Sequence, residues 1–214
     1  MGFDKRQLYD TDTRVPYFVR GPGIVARGST SDKPVSHVDL APTIIDIALG
    51  KVPGNWDGHS FLDVLTGAAE RPGSAASKDV LLQYFGEGKK EETCGANQLE
   101  YFQSGGAMRA EKVGEYVAAP CDGANNTYSC LRRVDLARGI DDVFCEFECF
   151  LDIGGGTPVP CPKDEAEGYG EYYDLVKDPW QQHNAARELD EKTKEELRGR
   201  LAQLKSCKGR GCQG

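Results

Sequence analysis

Apolar residues fall in short runs separated by glycine and proline, so the pattern predicts many turns and few long elements. Val15–Val19 (VPYFV) lies between Arg14 and Arg20-Gly21-Pro22-Gly23 and predicts a buried strand ending in a tight turn. Lys33–Val38 predicts a second extended piece. Asp39 then stands as a helix N-cap, with Pro42 in the first turn and Gly50 as the stop. Leu40, Ile44, Ile47 and Ala48 share one face of that helix, which predicts a buried face. Strand, loop and buried helix in this order suit an α/β layer architecture. Asp57-Gly58-His59-Ser60 reads as a turn, with Ser60 capping a short helix that carries Phe61, Leu62, Val64 and Leu65. The Gly-, Ala-, Ser- and Pro-rich stretch from Thr66 to Ser77 is a connector and divides the chain into residues 1–77 and 78–214.

The second part has a different texture. Val80–Phe85 predicts a strand, and the polar stretch from Gly86 to Gln98 a surface loop. Ala107–Ala119 predicts two short strands about a turn at Val113-Gly114. From Pro120 to Lys163 the chain is rich in cysteine, glycine and proline and carries no regular period, so no regular structure is expected there. Glu171–Leu175 predicts a last strand. Leu189–Leu204 predicts an amphipathic helix with Leu189, Leu197, Leu201 and Leu204 on its apolar side. This part is expected to be α+β: an antiparallel meander covered by one C-terminal helix.

Composition narrows the function. A formal net charge of −8 argues against a nucleic-acid binder or a protein that docks on anionic membranes. No apolar run approaches the eighteen or so residues of a membrane span. All 8 cysteines lie after residue 93, in loop-like surroundings, and an even count there reads as disulfides made in an oxidising compartment. Zinc and free thiols are the rival readings, although no Cys-x-x-Cys pair is present. Cys121 with Cys130 and Cys207 with Cys212 are the attractive local pairs. Asn125-Asn126-Thr127 is an acceptor for glycosylation at Asn125. No apolar leader follows Met1, so a cysteine-rich, sequon-bearing chain is expected to lack its N-terminal part.

Taken alone, the residues offer little chemistry. Lys5 and Arg6, beside Asp4, Asp10 and Asp12, are either a solvated charged turn or a cation placed just before a buried strand. His37 reads as a hydrogen-bonded residue near a helix cap, and His59 and His183 as surface residues. There is no phosphate-binding glycine loop and no Gly-x-Ser-x-Gly elbow.

A family resemblance adds more. The string from Lys5 to Pro16 (KRQLYDTDTRVP), then Val19-Arg20-Gly21-Pro22-Gly23-Ile24, resembles the sulfatase segment that follows the last metal ligands. Val38–Ile44 (VDLAPTI) resembles the next sulfatase helix, and Asp57–Phe61 (DGHSF) the Asp-Gly-x-Ser turn. Met108-Arg109 with Gly114-Glu115-Tyr116 resembles the C-terminal hairpin. Tyr172–Leu175 with Asp178-Pro179 and His183-Asn184 resembles the family's closing motif. Within the family, Lys5–Tyr9, Asn125–Cys130, Cys145–Phe147 and the Cys207–Cys212 tail are most similar to the N-acetylglucosamine-6-sulfatase branch.

The resemblance implies an alkaline phosphatase-like α/β fold, of which residues 1–77 would be the end of the catalytic domain and 78–214 a C-terminal subdomain. It also implies a sulfuric ester hydrolase acting on sulfated sugars or glycosaminoglycans in the secretory pathway, the lysosome or outside the cell. In such enzymes a cysteine becomes formylglycine, whose hydrate attacks the ester sulfur. A calcium ion orients the sulfate, while lysines and histidines bind its oxygens and protonate the leaving alcohol. Of these roles only the sulfate-contacting lysine carries over, onto Lys5; Arg14 and His37 are read as structural. The nucleophile motif Cys-x-Pro-x-Arg, or its serine version, is absent, and the family's metal ligands lie upstream of the position of Lys5. The expectation is a C-terminal fragment that binds no cofactor alone and partners a missing catalytic portion. The competing readings are a non-catalytic secreted glycan- or protein-binding module and a two-zinc phosphatase or phosphodiesterase of the same superfamily.

Overall fold

The computed structural model describes residues 7–25, 28–69, 74, 79–85, 127–147, 150–151, 159–160 and 170–212. The predicted strands in Ala107–Ala119 and the loop from Gly86 to Gln98 lie outside them. The chain forms two compact units, one of residues 1–82, 129–145 and 170–214, the other of residues 83–128 and 146–169.

The first unit is built on a four-stranded antiparallel sheet in the order β1-β2-β3-β6, with β1 Val80–Tyr84, β2 Tyr128–Asp135, β3 Ile140–Phe147 and β6 Gly170–Asp174. The β2–β3 hairpin is the best-formed part of the stretch from which no regular structure was expected. Its turn is a single 3-10 turn, Leu136–Arg138, in which Asp135 accepts from the Arg138 N–H, and Gly139 closes it. The Cys130–Cys145 disulfide joins the two strands, their Cα atoms 4.0 Å apart. The expected Cys121–Cys130 pair is therefore wrong: an antiparallel hairpin brings opposed residues together whatever their separation in the chain. The Cys207–Cys212 bond forms as expected.

Side chains alternate across a sheet, so adjacent residues of each strand serve opposite faces. One face meets the helix Glu191–Ser206, started by Asp190, whose carboxylate accepts from the Thr193 N–H. Leu197, Leu201 and Leu204 of that helix pack with Leu131 of β2 and Phe144 of β3, flanked by Leu81, Tyr172 and Leu189. Each of these helix leucines is 8% exposed or less, so each contributes about 1.5–3 kcal/mol by burial. The polar partners on this face are paired: Arg133 grips the Asp142 carboxylate with two nitrogens, Tyr172 donates its hydroxyl to the same carboxylate, and Arg200 meets Asp79 at 2.7 Å.

The N-terminal residues of the unit are tied through turns rather than strands. After a one-turn helix α1 (Asp10–Thr13), Val15–Val19 belongs to no strand, and Phe18 is 91% exposed. The predicted buried strand is thus neither buried nor paired, because no neighbouring strand reaches it among the described residues. A 3-10 turn His37–Asp39 leads into α2 (Leu40–Leu49), and α3 (Leu62–Thr66) follows. The helix α2 has the span expected of it, but its buried side is the opposite one: Pro42, Thr43 and Asp46 face inward, and Leu40, Ile44 and Ile47 face out.

What holds the inward side is polar. Asp39, fully buried, stands at the N-cap position of α2 as expected, but its carboxylate does not cap that helix; it accepts from the Ser36 N–H at 2.9 Å and the His59 N–H at 2.8 Å and so ties two turns together. Thr43 accepts from the Phe61 N–H, and Ser60 donates its hydroxyl to Asp46 at 2.6 Å while accepting from the Leu62 N–H. His59, expected at the surface, is buried. Gly58 is required by this docking, since a Cβ there would lie 1.9 Å from the Val38 carbonyl oxygen. At the far end of the chain Gly209, at φ +55°, donates its N–H to Asp57 at 2.5 Å and seals the same turn.

In the second unit β4 (Phe150–Leu151) pairs antiparallel with β5 (Val159–Pro160), Phe150 opposite Pro160 and Leu151 opposite Val159. The Tyr128 ring there stacks at a tilt with Tyr84 and Phe147, 5.8 and 5.6 Å between centroids.

Candidate functional site

The segment that follows Lys5 is anchored on the other face of the four-stranded sheet. Lys5 and Asn125 both lie outside the described residues, but the chain immediately after Lys5 is defined from Gln7 onward. Leu8 is buried, and the Tyr9 carbonyl accepts from the Asp12 and Thr13 amides, which closes the single turn of α1. The Asp10 N–H donates to the Gln181 side-chain oxygen at 2.7 Å. The Asp10 carboxylate lies 3.4 Å from Arg132, and Arg132 also pairs with Asp141 at 2.5 Å. Alternation along β2 and β3 puts Arg132 and Asp141 on the face that carries Cys130 and Cys145, away from the helix.

Gln181 is held for this contact. It sits at φ 53°, a backbone region that non-glycine residues seldom enter, and it is 8% exposed. Its side-chain nitrogen is buried with no hydrogen-bond partner among the described residues. Tyr9 and Tyr173 meet edge to face at 6.0 Å, and Tyr173 donates its hydroxyl to Glu171 at 2.8 Å. Burial, then the Glu171 charge, raises the Tyr9 phenol above its ordinary pKa. Burial, then the hydrogen bond to Glu171, raises Tyr173 further. Both rings stay neutral across the physiological range.

The part of this charged segment from Asp10 onward is thus a built junction, with Asp10 paired to Arg132 rather than solvated. Arg14 has a side chain 78% exposed, 4.0 Å from Asp10 within one helical turn, a pairing worth little. His37 is exposed, and His183 meets Glu188 at the surface. Arg132, Asp141 and Gln181 were not singled out from the sequence. Only the match of Asp178-Pro179 and its neighbours to a family motif hinted that this turn matters. Among the described residues no group of three or more His, Cys, Asp or Glu could hold a metal ion.

Comparison with known proteins gives this junction its context. Residues 1–94 match the family described as N-sulphoglucosamine sulphohydrolase, C-terminal. N-acetylglucosamine-6-sulfatase of Capra hircus is 35% identical over 98% of this chain and 32% of its own length, which is its C-terminal part. The chain belongs to the sulfatase family. The human N-acetylglucosamine-6-sulfatase is 35% identical over 98% of the chain, and an ulvan-active sulfatase of Formosa agariphila is 29% identical over 90%. The chain spans about a third of the length of these sulfatases. The four-stranded sheet with its covering helix is consistent with a sulfatase C-terminal subdomain. Among the described residues no helix is long and apolar enough to cross a membrane.

Proposed function

We propose that this chain is the C-terminal portion of a sulfuric ester hydrolase acting on sulfated sugars or glycosaminoglycans, and that Lys5 contacts the sulfate. The observation that carries the reading is the 35% identity to N-acetylglucosamine-6-sulfatase along 98% of the chain. The junction of Asp10 with Arg132 and Gln181 supports it, because it fixes the backbone within a few residues of Lys5 to a rigid sheet. A lysine ammonium so placed is a compact charge able to meet sulfate oxygens as charge develops on them. Residues 1–77 would be the end of an alkaline phosphatase-like α/β domain and 78–214 its C-terminal subdomain.

The chain alone would not turn over substrate. Formylglycine and calcium would supply nucleophile and Lewis acid from polypeptide upstream. Disulfides and a glycan at Asn125 would place the protein in the secretory pathway, in the lysosome or outside the cell. The absence of a Cys- or Ser-x-Pro-x-Arg motif from all 214 residues favours one second reading, a secreted module without catalysis.

The test joins this chain to the part of the goat N-acetylglucosamine-6-sulfatase that precedes the matched region and measures sulfate release from N-acetylglucosamine-6-sulfate. Turnover by the chimera, at least about a hundredfold weaker after Lys5→Ala, is the expected result. Full activity in Lys5→Ala removes the lysine from the mechanism. A folded but inert chimera favours the module.

A further inference from the structure

Among the described residues one that is not glycine has a positive backbone φ, Gln181 at 53°. A glutamine gains nothing from that region, and the surrounding structure must hold it there at a cost. Outliers of this kind gather where a side chain has to be delivered to one place. The side chain delivered here is buried, and its two ends differ. Its Oε1 accepts from the Asp10 N–H at 2.7 Å, across 171 positions of chain. Its Nε2 is buried with no hydrogen-bond partner among the described residues. A buried donor left unmatched forfeits stability. Gln181 is thus strained in its backbone and half-satisfied in its side chain, which is a poor way to stabilise a fold. What these two costs secure is the place of Asp10.

Asp10 is gripped from two sides. Gln181 holds its N–H, and Arg132, itself paired with Asp141 at 2.5 Å, lies 3.4 Å from its carboxylate. The turn around it is closed. The Tyr9 carbonyl accepts from the Asp12 and Thr13 amides, the Gln7 N–H donates to the Asp12 carboxylate at 3.1 Å, and Leu8 is buried. Residues 7–13 therefore move with Asp10 as one piece. Lys5 stands two positions before Gln7 in the chain. A tether of two residues spans about 7 Å at full extension, so the place of this turn bounds the reach of the lysine.

We propose that Gln181 is a positioning residue for sulfate-ester hydrolysis, acting on Lys5 through Asp10 and the turn of residues 7–13. A neutral amide supplies the acceptor that the Asp10 N–H needs. A glutamate would supply it too, but would add a third carboxylate to a cluster that already holds Asp10 and Asp141 against one arginine. The proposal rests on the sulfatase reading above and adds to it a residue that acts from the far end of the chain.

The test is a double-mutant cycle on the goat chimera. Gln181→Asn keeps an amide, suits a positive φ better than glutamine does, and is one methylene too short to reach Asp10. Its kcat/KM for N-acetylglucosamine-6-sulfate is expected to fall at least about tenfold, and no further than in Lys5→Ala. In the Lys5→Ala background the same change is expected to alter kcat/KM by less than about twofold, because the lysine it serves is gone. A merely structural role would lower both backgrounds alike. In the present chain alone, hydrogen exchange at the Asp10, Asp12 and Thr13 amides is expected to quicken in Gln181→Asn while the last helix is unchanged. Gln182→Ala, at the exposed neighbouring position, should move neither readout. Asp10→Asn loosens the grip of Arg132 and leaves the backbone N–H in place, so it should repeat the pattern should Gln181→Asn fold poorly. The proposal is overturned by wild-type rates in Gln181→Asn, by an equal loss in both backgrounds, or by unchanged exchange, and in each of these cases the sulfatase reading stands. A wild-type chimera that folds without turnover fails the sulfatase reading and this proposal with it.

Discussion

Replacing Gly58 with alanine places one methyl group where the structure has no room. The new Cβ would stand 1.9 Å from the Val38 carbonyl oxygen and 2.6 Å from its carbon, whereas real Cβ atoms essentially never come within 3.0 Å of another heavy atom. Both obstacles are backbone, so the turn must rise by about 1 Å, the distance by which such a contact is violated. Two hydrogen bonds span that gap: His59 N–H to Asp39 at 2.8 Å and Phe61 N–H to Thr43 at 3.1 Å. The first, to a buried carboxylate, is worth about 1.5–3 kcal/mol and the second about 0.5–1.5 kcal/mol. Gly58→Ala should therefore destabilise the chain by about 2–4 kcal/mol, a drop of roughly 5–15 °C in melting temperature for a protein of this size. Circular dichroism melts and urea titration with an unchanged slope would measure it. Gly199, inside the last helix with open space around its Cβ position, is the control: alanine there should stabilise by about 0.5–1 kcal/mol. A Gly58→Ala protein melting within a degree of wild type would refute the close approach and the polar tie beneath α2.

Other predictions follow from the sheet. Leu201→Ala empties a site that is 1% exposed between Leu131 and Phe144 and should cost about 2–5 kcal/mol in urea denaturation. Replacing Cys130 and Cys145 together by serine opens a loop of 15 residues and should lower stability by about 3 kcal/mol, read as a shift in the urea midpoint. The Tyr172 phenol is pushed up to about 12, first by burial and then by the Asp142 charge. The folded state favours the neutral ring, so this stability is fully present below the unfolded value of about 10 and is lost as pH rises through about 12. Wild type should lose more stability than Tyr172→Phe between pH 10 and pH 12, and equal losses would contradict the Tyr172–Asp142 bond.

The last helix was legible because its three leucines, Leu197, Leu201 and Leu204, recur at a helical period among polar residues, although it begins at Glu191, after the Leu189 expected to open it. The spans of β1, β6 and α2 were legible for similar reasons. The orientation of α2 was not: Leu40, Ile44 and Ile47 recur with the same period as Asp39, Thr43 and Asp46, and periodicity alone cannot say which stripe is covered. Hydropathy chose the apolar one, and buried hydrogen bonds chose the other. The β2–β3 hairpin was hidden because its cysteines were counted as loop residues and its arginines and aspartates interrupt the apolar pattern. In the fold those charges neutralise one another across the strands, as Arg133 does with Asp142. The anchors of the segment after Lys5 were out of reach, since Asp10 and Gln181 are 171 positions apart and no local pattern links them.

The turn at Asp57 waits for Gly209, 152 positions later, before its last hydrogen bond exists. At ribosomal speeds of about 5–20 residues per second, the nascent N-terminal segment spends on the order of ten seconds or more without the residue that closes it. The first compact unit therefore cannot be finished until Gly209 has been made. Loss of Gly209 and the residues after it would leave the turn at Asp57, far from the site of the loss, unlatched.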